Sequence, residues 1–249
     1  KIEYIFEDAP LGTGGAIKMA EHLLNETFLV LNADILCNIN FLELIKLHKS
    51  KSAVATIAVT QVVNPSIYGV IEYDKDNYAL SFTEKPKANE IKSKYINAGV
   101  YVFEPEVLKN IPAGRKVSVE REIFPKLLKK EYKIAVYKNS FYWMDIGTPK
   151  KYLQAHTDIL EGDCKLFGVN LTNKGIFKEG KSIIDPTVII NGPVYIGNNV
   201  RIESCTTIGP NAVIGEGTCI NKGCSVNDSI LWNNVDMGSY AKLDGTVVA

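Results

Sequence analysis

Residues 196–227 read IGNNVRIESCTTIGPNAVIGEGTCINKGCSVN and return an aliphatic side chain at every sixth position. This period matches neither a helix, with about 3.6 residues per turn, nor the alternation of a long strand. It predicts a triangular coil whose short strands each turn one aliphatic side chain inward and end at Gly, Asn or Pro. Stacked coils of three strands share one core. The series comprises Ile184, Ile190, Ile196, Ile202, Ile208, Ile214, Ile220 and Val226, and its next step falls on Trp232.

The repeat divides the chain into two predicted domains. Residues 182–249 are predicted to form a left-handed parallel β-helix of hexapeptide repeats. Residues 1–165 alternate between strand-like and helical patterns, which predicts an α/β domain with a largely parallel sheet covered by helices. Residues 166–181, rich in Lys, Gly and Asn, are predicted to connect the two domains.

Within the first domain, the apolar patterns predict individual elements. Helices are predicted in GGAIKMAEHLL, in FLELIKLHKSK, in VEREIFPKLLKK with a kink or split at Pro125, and in TPKKYLQAHTDILEG with Thr148 as N-cap and Pro149 at its first position. TFLVLNADIL predicts a buried strand that ends in a polar loop. Further strands are predicted in AVATIAVTQV, GVIEYD, ALSFTEKP, INAGVYVF and KIAVY.

The composition argues against several classes of protein. The 28 Lys and Arg residues balance 28 Asp and Glu residues, whereas a general nucleic-acid-binding protein concentrates positive charge. No apolar run approaches the ~20 residues of a membrane helix, and KIEYIFEDAP lacks the pattern of a signal peptide. The five cysteines follow no disulfide or metal-ligand spacing. The sequence therefore predicts a cytoplasmic protein that binds neither nucleic acid nor membrane.

Two carboxylates follow predicted strands, at the sheet edge where α/β proteins bind ligands. Asp34 follows the run FLVLNA, and Asp145 follows KNSFYWM. Mg²⁺ takes one or two protein carboxylates together with phosphate oxygens, so either residue suits a metal that faces a nucleotide. An Asp after a strand is also a common cap or turn former, and both interpretations stay open.

Two further motifs could bind parts of a ligand. LGTGGAI, residues 11–17, places glycines ahead of a helix, where backbone can approach a planar base or a ribose. FTEKP places Glu84 and Lys85 at a strand end, where a carboxylate can accept hydrogen bonds from sugar hydroxyls and an ammonium can meet a phosphate. Alone, the glycine-rich turn is weak evidence, and Glu84 and Lys85 fit a solvated turn better.

Together, seven motifs resemble the sugar-1-phosphate nucleotidyltransferase family in order and approximate spacing. The likeness is greatest to mannose-1-phosphate guanylyltransferases (GDP-mannose pyrophosphorylases) and covers the first 160 residues. A β-helix tail is also common in this family. The motifs are LGTGGAI, LNADIL, YGVIEYD, FTEKP, INAGVYVF, SVEREIFP and WMDIGTPKKYL.

The resemblance implies a Mg²⁺-dependent transfer of a nucleoside monophosphate from an NTP to a sugar 1-phosphate, with release of pyrophosphate. The sugar phosphate oxygen would attack the α-phosphorus in line, so that catalysis consists of alignment and charge neutralisation. GTP and mannose 1-phosphate are the expected substrates. Glucose 1-phosphate with another nucleotide would need only modest changes of the pocket.

The resemblance also implies roles for particular residues. The catalytic residues would be Asp34 and Asp145, which hold the metal, and Lys85, which contacts the sugar phosphate. Trp143 fits core packing as well as substrate contact. The substrate-binding residues would be Glu84 at the sugar hydroxyls, Gly69 and Asn97 in the sugar pocket, and Glu7, Leu11, Gly12 and Thr13 at the base.

One departure from the family concerns the triphosphate. Family members open with a strand and a loop of the form G-x-G-T-R-L-x-P-L-T, which wraps the triphosphate. The present sequence begins past that segment. We therefore expect an α/β domain that is incomplete at its N-terminus, with one side of its sheet exposed. We also expect little or no catalysis from these 249 residues alone.

Two other functions stay open. A non-catalytic regulatory or scaffold subunit is favoured by the missing loop and opposed by the retained residues Asp34, Asp145, Glu84 and Lys85. An acyltransferase would use a histidine near the coils, but His22, His48 and His156 all lie outside the repeat in the sequence. An open final coil leaves unpaired strand edges, so we expect a homo-oligomer formed in part through the β-helix.

Overall fold

The computed structural model describes residues 1–165 and 175–249, which form two compact units. The first unit comprises Lys1–Ile35 and Ile39–Trp143, and the second comprises Leu36–Asn38 and Met144–Ala249. Each unit has its own buried hydrophobic core. Residues 166–174 of the predicted connection lie outside the described residues.

A mixed sheet forms the centre of the first unit. The strands up to residue 145 are β1 (Phe28–Leu31), β2 (Ile35–Cys37), β3 (Ala55–Gln61), β4 (Gly69–Tyr73), β5 (Ala79–Glu84), β6 (Tyr95–Phe103), β7 (Ile134–Lys138) and β8 (Trp143–Asp145). The strand order is β5-β4-β6-β3-β7, and β1 also pairs with β6. β2 and β8 pair with each other.

The prediction of a largely parallel sheet is wrong. Among the described pairings of this sheet, only β3 with β7 is parallel. The long strand β6 runs antiparallel to β1, β3 and β4. β4 and β5 form an antiparallel hairpin. Strand direction depends on which distant segments pair, and the local apolar pattern does not carry that information.

The helices lie where the sequence predicts them. Asn40 caps α2 by accepting hydrogen bonds from the N–H groups of Leu42 and Glu43. Thr148 caps α4, and Pro149 occupies its first turn. The α-helices are α1 (Gly12–Met19), α2 (Phe41–Lys51), α3 (Phe124–Lys129) and α4 (Pro149–Glu161), and shorter helices span Glu21–Leu23, Pro65–Ile67, Ala88–Glu90 and Pro105–Asn110. None of the helices in the described ranges has the length and apolarity needed to cross a bilayer.

The split predicted at Pro125 is confirmed. A π-helix, Val119–Ile123, precedes α3, and Pro125 lies in the first turn of α3. Proline has no N–H group with which to continue a helical hydrogen-bond ladder from the preceding turn. The motif SVEREIFP therefore changes helix type at this point.

The segment TFLVLNADIL differs from its prediction as one buried strand. It forms two strands, β1 and β2, joined by a turn over residues 32–34. Leu31 at the end of β1 is 51% exposed. The apolar run FLVL has the composition of a buried strand. Among the described strands, however, β1 pairs only with β6, so it has a neighbour on one side.

A parallel β-solenoid of about four turns follows in the second unit, consistent with the predicted left-handed β-helix. Its first strand, Ile176–Lys178, lies within the predicted connection and pairs in parallel with Val194–Ile196. The solenoid strands are β9 (Ile176–Lys178), β10 (Ile183–Ile184), β11 (Ile189–Ile190), β12 (Val194–Ile196), β13 (Arg201–Ile202), β14 (Thr207–Ile208), β15 (Ala212–Ile214), β16 (Cys219–Ile220), β17 (Ser225–Asn227), β18 (Ile230–Leu231), β19 (Asp236–Met237), β20 (Lys242–Asp244) and β21 (Val247–Val248).

The inward series is confirmed up to Val226 and then shifts by one residue. Ile214 pairs with Leu231, which is fully buried, whereas Trp232 is 51% exposed. The prediction of Trp232 as the next inward residue is therefore wrong. Eighteen residues separate Ile196 from Ile214, but seventeen separate Ile214 from Leu231, because the corner after Val226 is one residue shorter.

Two alanine substitutions test this register. Leu231→Ala will lower the free energy of unfolding of the second unit by about 2–5 kcal/mol, because it removes core contacts and leaves a cavity. Trp232→Ala removes a larger side chain but will cost less, since half of that side chain faces solvent. Urea denaturation followed by circular dichroism measures both. A larger loss for the Trp232 variant would show that the six-residue period continues unshifted.

Candidate active site

The candidate site is built on a bulge in β6. Ile57 pairs with Tyr101 and Val59 pairs with Asn97, so the two-residue step on β3 corresponds to four residues on β6. Gly99 lies in the extra stretch with φ +71°. This left-handed conformation favours glycine, which has no Cβ. Because Ile57 and Val59 point to the same face of the sheet, so do Tyr101 and Asn97.

The bulge brings the side chains of Asn97 and Tyr101 together. Four residues of a regular strand span about 13 Å. Here Asn97 Nδ2 donates a hydrogen bond to the Tyr101 hydroxyl at 2.7 Å, and Asn97 Oδ1 accepts one from the Gly99 N–H at 2.9 Å. These two bonds set the orientation of the amide. One further N–H and one further lone pair of the amide can serve a ligand.

Three of the predicted sugar-site residues share this face of the sheet. Glu84 pairs directly with Gly69, and the pairing of Val70 with Ile96 places Gly69 beside Asn97. A Cβ atom at Gly69 would lie 2.7 Å from Glu84 Oε2. Glycine at this position therefore leaves room for the Glu84 carboxylate to lie across the neighbouring strand.

Charged groups of both signs act on the pKa of Glu84. Burial raises the pKa of Glu84 above its ordinary value, and the nearby Glu120 carboxylate raises it further, whereas Lys85 and Arg121 lower it. Lys85 is exposed, has φ +49°, and its N–H donates to the Tyr68 carbonyl at 3.0 Å. A half-buried carboxylate beside two cations can accept hydrogen bonds from the hydroxyls of a ligand that also carries negative charge.

The predicted base-binding residues meet at the start of α1, where LGTGG comprises Leu11 and the first helical turn, called here the LGTGG turn. Glu7 Oε2 accepts the Leu11 N–H at 2.7 Å. The Leu11 carbonyl accepts the Val117 N–H at 2.8 Å, and the Val117 carbonyl accepts the Gly14 N–H at 2.9 Å. Gly12 has φ +72°, and a Cβ there would lie 2.7 Å from the Val117 oxygen. The turn is thus held against the segment that leads into the π-helix.

The two predicted metal-binding carboxylates belong to different units. Asp34, in the first unit, is exposed in the turn that follows β1. Asp145, in the second unit, is half-buried, accepts the Gly147 N–H through Oδ1 at 3.0 Å, and forms an ion pair with Lys151 through Oδ2 at 3.0 Å. Over residues 1–165 and 175–249, no three His, Cys, Asp or Glu side chains form a metal-binding cluster. Mg²⁺ binds through one or two carboxylates plus phosphates and water, so the chemistry of both residues fits it.

Trp143 contacts residues that neighbour the candidate site in the sequence. Its Nε1 donates to the Ala98 carbonyl at 2.9 Å, next to Asn97. Its ring meets that of Tyr68, next to Gly69, edge-on with centroids 5.4 Å apart. Trp143 thus packs on the residues adjacent to two of the predicted sugar-site positions, which agrees with the packing interpretation of this residue.

Two residues of the site were not predicted as such from the sequence. Tyr101 is fully buried, and burial followed by the Glu120 charge raises its pKa well above the ordinary value. Glu120 accepts the Tyr101 hydroxyl at 3.1 Å. Both lie in motifs that carry the family resemblance, INAGVYVF and SVEREIFP, but the residue pattern alone does not distinguish them from core and helix-surface residues.

Two known protein families match parts of this chain. Residues 1–162 match the family described as Nucleotidyl transferase, and residues 190–249 match the GMPPB C-terminal domain. The chain belongs to the nucleotidyl transferase family.

Individual relatives support the same assignment. The chain is 33% identical to a mannose-1-phosphate guanylyltransferase of Mycobacterium tuberculosis (91% of this chain, 63% of the relative). It is 36% identical to a mannose-1-phosphate guanyltransferase of Hypocrea jecorina (99% and 70%). It is 33% identical to a UTP–glucose-1-phosphate uridylyltransferase of Synechocystis (94% and 62%). The chain spans between about half and two thirds of the length of several curated relatives.

A solved structure is also similar to part of the chain. HddC from Yersinia pseudotuberculosis, complexed with GMP-PN, is 29% identical with a TM-score of 0.53, over 64% of this chain and 67% of that protein. The family resemblance drawn from the seven motifs is therefore confirmed.

Gly99→Ala tests the bulge, with Gly114→Ala as its matched control. Both glycines have positive φ, +71° and +69°, so both variants share a backbone strain of about 1–2 kcal/mol. A Cβ at Gly99 would lie 2.9 Å from Asn32 Nδ2, whereas a Cβ at Gly114 would meet nothing within 4 Å. Gly99→Ala will therefore lower the melting temperature more, as measured by calorimetry. Equal losses would show that the bulge has room for a side chain.

Proposed function

We propose that the protein transfers a nucleoside monophosphate from GTP to mannose 1-phosphate, giving GDP-mannose and pyrophosphate. The observation that carries this proposal is the arrangement of Glu84, Gly69 and Asn97 on one face of the sheet, with Lys85 following Glu84. A carboxylate and an amide suit sugar hydroxyls, and a lysine suits a phosphate. The relatives named mannose-1-phosphate guanylyltransferase support the choice of sugar and base.

In the proposed reaction, a phosphate oxygen of the sugar 1-phosphate attacks the α-phosphorus of the nucleotide. The bond from the α-phosphorus to the oxygen that bridges to the β-phosphate breaks, and its electron pair leaves with pyrophosphate. No protein nucleophile is needed. Glu84 and Asn97 hold the sugar hydroxyls, and Lys85 neutralises the sugar phosphate, so that the attacking oxygen is aligned.

The family resemblance points to Asp34 and Asp145, each considered within its own unit, as carboxylates suited to a divalent metal ion, with Mg²⁺ as the proposed ion. When bound, the metal neutralises charge on the reacting phosphates. The Lys151 ammonium at Asp145 Oδ2 fixes the direction of that carboxylate. Glu7, Leu11, Gly12 and Thr13 are assigned to the base of the nucleotide by the family resemblance. The glycines of LGTGG let this segment pack closely, because a Cβ atom at these positions would meet Val117 or Leu11.

A second candidate is transfer of a uridylyl group to glucose 1-phosphate. The Synechocystis relative, at 33% identity, carries that activity in its name. The two reactions share the same chemistry at phosphorus and differ in the base and in the sugar hydroxyls that the pocket must hold.

One argument against the acyltransferase alternative is weakened, namely that no histidine lies near the coils. Although His156 lies outside the repeat in the sequence, it lines a cleft of about 390 Å³ in the second unit together with Tyr195 and Trp232. His48 is buried and bonded to Thr56 and Glu104. The match to the nucleotidyl transferase family nevertheless favours nucleotidyl transfer.

Self-association through the β-helix and a cytoplasmic location stay predictions. The exposed side chains of Ile183 and Ile189 at the start of the solenoid are compatible with an interface between copies of the chain. Sedimentation of the purified protein measures the first of these predictions directly.

Isothermal titration tests the proposed function. The chain is titrated with GTP, mannose 1-phosphate, GDP-mannose and UDP-glucose in the presence of Mg²⁺, and pyrophosphate release is then assayed. We expect GDP-mannose to bind more tightly than UDP-glucose. The reverse order would support the second candidate, and a folded sample that binds none of the four would support a scaffold role.

Asparagine substitutions test the metal ligands. Asp34→Asn and Asp145→Asn will each weaken Mg²⁺-dependent binding of GDP-mannose at least about 10-fold, the lower range for disturbing a metal site. Asp76→Asn, in the exposed turn between β4 and β5, is the matched control and will leave binding unchanged. Titrations with Mg²⁺ and with EDTA separate the metal-dependent part. An unchanged Mg²⁺ dependence in either site variant would remove that residue from the metal site.

A further inference from the structure

Glu120 links two parts of the chain that the proposed function assigns to different halves of the ligand. It lies in the first turn of the π-helix Val119–Ile123. Its Oε1 accepts the Tyr101 hydroxyl at 3.1 Å. Its Oε2 accepts the hydroxyls of Thr13 and Ser118, each at 2.7 Å. One half-buried carboxylate thus holds the central strand β6 on one side and the LGTGG turn on the other.

The first arm of this network ends at the sugar pocket. The Tyr101 hydroxyl donates a hydrogen bond to Glu120, so its oxygen is free to accept one from Asn97 Nδ2 at 2.7 Å. Tyr101 has no exposed surface, and a buried hydroxyl without partners would be costly. Hydrogen-bond donation therefore runs from Asn97 through Tyr101 to Glu120, which accepts at the end of the series. An amide turned by 180° would present its oxygen to the tyrosine and lose this bond.

The second arm ends at the turn assigned to the base. Thr13 Oγ1 donates to Glu120 and accepts the Val119 N–H at 3.0 Å. Thr13 and Glu120 lie 107 residues apart in the chain. This contact fixes the middle of the LGTGG turn against the π-helix.

Glu120 lies in a turn of π-helix rather than α-helix. The Phe124 N–H donates to the Val119 carbonyl, five residues earlier, whereas an α-helix would pair it with the carbonyl four residues earlier. In an α-helix, the N–H of residue 125 would bond to the Arg121 carbonyl, but proline has no N–H group. Single turns of π-helix are often associated with functional sites.

We propose that Glu120 is a positioning residue of the substrate site, which orients the Asn97 amide through Tyr101 and fixes the base-side turn through Thr13. The inference rests on the proposed function. Glu120 acts through its neighbours and is not a catalytic residue. The ligand class is a sugar 1-phosphate on the first arm and a nucleoside triphosphate on the second.

Single-arm variants test the two connections separately by titration with mannose 1-phosphate and with GTP. Tyr101→Phe will weaken mannose 1-phosphate about 10-fold, the effect of one buried hydrogen-bond partner, and will change GTP affinity less than about 2-fold. Thr13→Val will show the opposite pattern. Glu120→Ala will weaken both ligands. Tyr101→Phe in the Glu120→Ala background will add little, because both changes break the same arm.

A conservative variant and a control separate positioning from helix stability. Glu120→Gln keeps an oxygen that can accept from Tyr101. Compared with Glu120→Ala, it will therefore recover more of the affinity for mannose 1-phosphate than of the affinity for GTP. Glu122, on the same π-helix, accepts the Ser118 N–H at 3.1 Å and pairs with Arg115 at 2.9 Å. Glu122→Gln will change thermal stability and leave both affinities unchanged.

The pH dependence of sugar phosphate binding gives an independent measurement. The groups that act on Glu84 are Glu120, Lys85 and Arg121, and after burial Glu120 is the one that raises the pKa of Glu84. Glu84 accepts sugar hydroxyls in its ionised form, so binding is lost as the pH falls through this pKa. Glu120→Gln removes a negative charge, lowers the pKa of Glu84, and moves the loss of binding to lower pH.

The outcomes distinguish the two levels of the proposal. A folded wild-type chain that binds neither ligand would refute the proposed function, whatever Glu120 does. A wild-type chain that binds both, together with a folded Glu120→Ala variant of equal affinities, would refute the positioning role alone. Additive effects of Glu120→Ala and Tyr101→Phe on mannose 1-phosphate would refute it as well.

Discussion

The hydrogen bond between Asn97 and Tyr101 depends on a backbone shape that glycine adopts readily and other residues rarely adopt. The bulge around Gly99 shortens β6 enough for side chains four residues apart to meet at 2.7 Å. Because β6 pairs with β1, β3 and β4, this local distortion sits at the centre of the sheet. The polar groups of the candidate site are arranged around it.

The site lies on the same face of the sheet as the core, which sets a strict condition on its polar groups. Tyr101 packs against Phe103 and Phe124 with ring centroids 5.5 and 5.3 Å away, yet its hydroxyl must find partners. A buried polar network stabilises one arrangement only when each member is satisfied. Glu120 meets that condition by accepting from Tyr101, Thr13 and Ser118. Satisfying the core thereby orients the amide that would face a ligand.

Local patterns predicted the elements of this fold but not their pairing. The six-residue period identified the solenoid because each short strand and its corner repeat the same local sequence pattern. The prediction failed at Trp232 because one corner is a residue shorter, and a fixed period cannot reveal such a deletion. The motifs located Glu84, Gly69 and Asn97, which the register brings together. Glu120 was not predicted because a glutamate in SVEREIFP looks like a solvated helix face. Its partner Thr13 lies 107 residues away, and no local pattern reports such a contact.

The two units differ in how much local change they can absorb. In the solenoid, the turns use several residues with positive φ, including Asn199, Cys205 and Tyr240, and one corner is a residue shorter without loss of the inward series. In the sheet of the first unit, a shift of one residue in β6 would turn Asn97 and Tyr101 to the opposite face. It would also separate Asn97 from Gly69 and Glu84, so the pocket would lose its amide and its carboxylate together. A change in the bulge or in the Glu120 network would therefore disturb several of the predicted sugar-site residues at once, whereas a substitution of Glu84 alone would leave the backbone register intact.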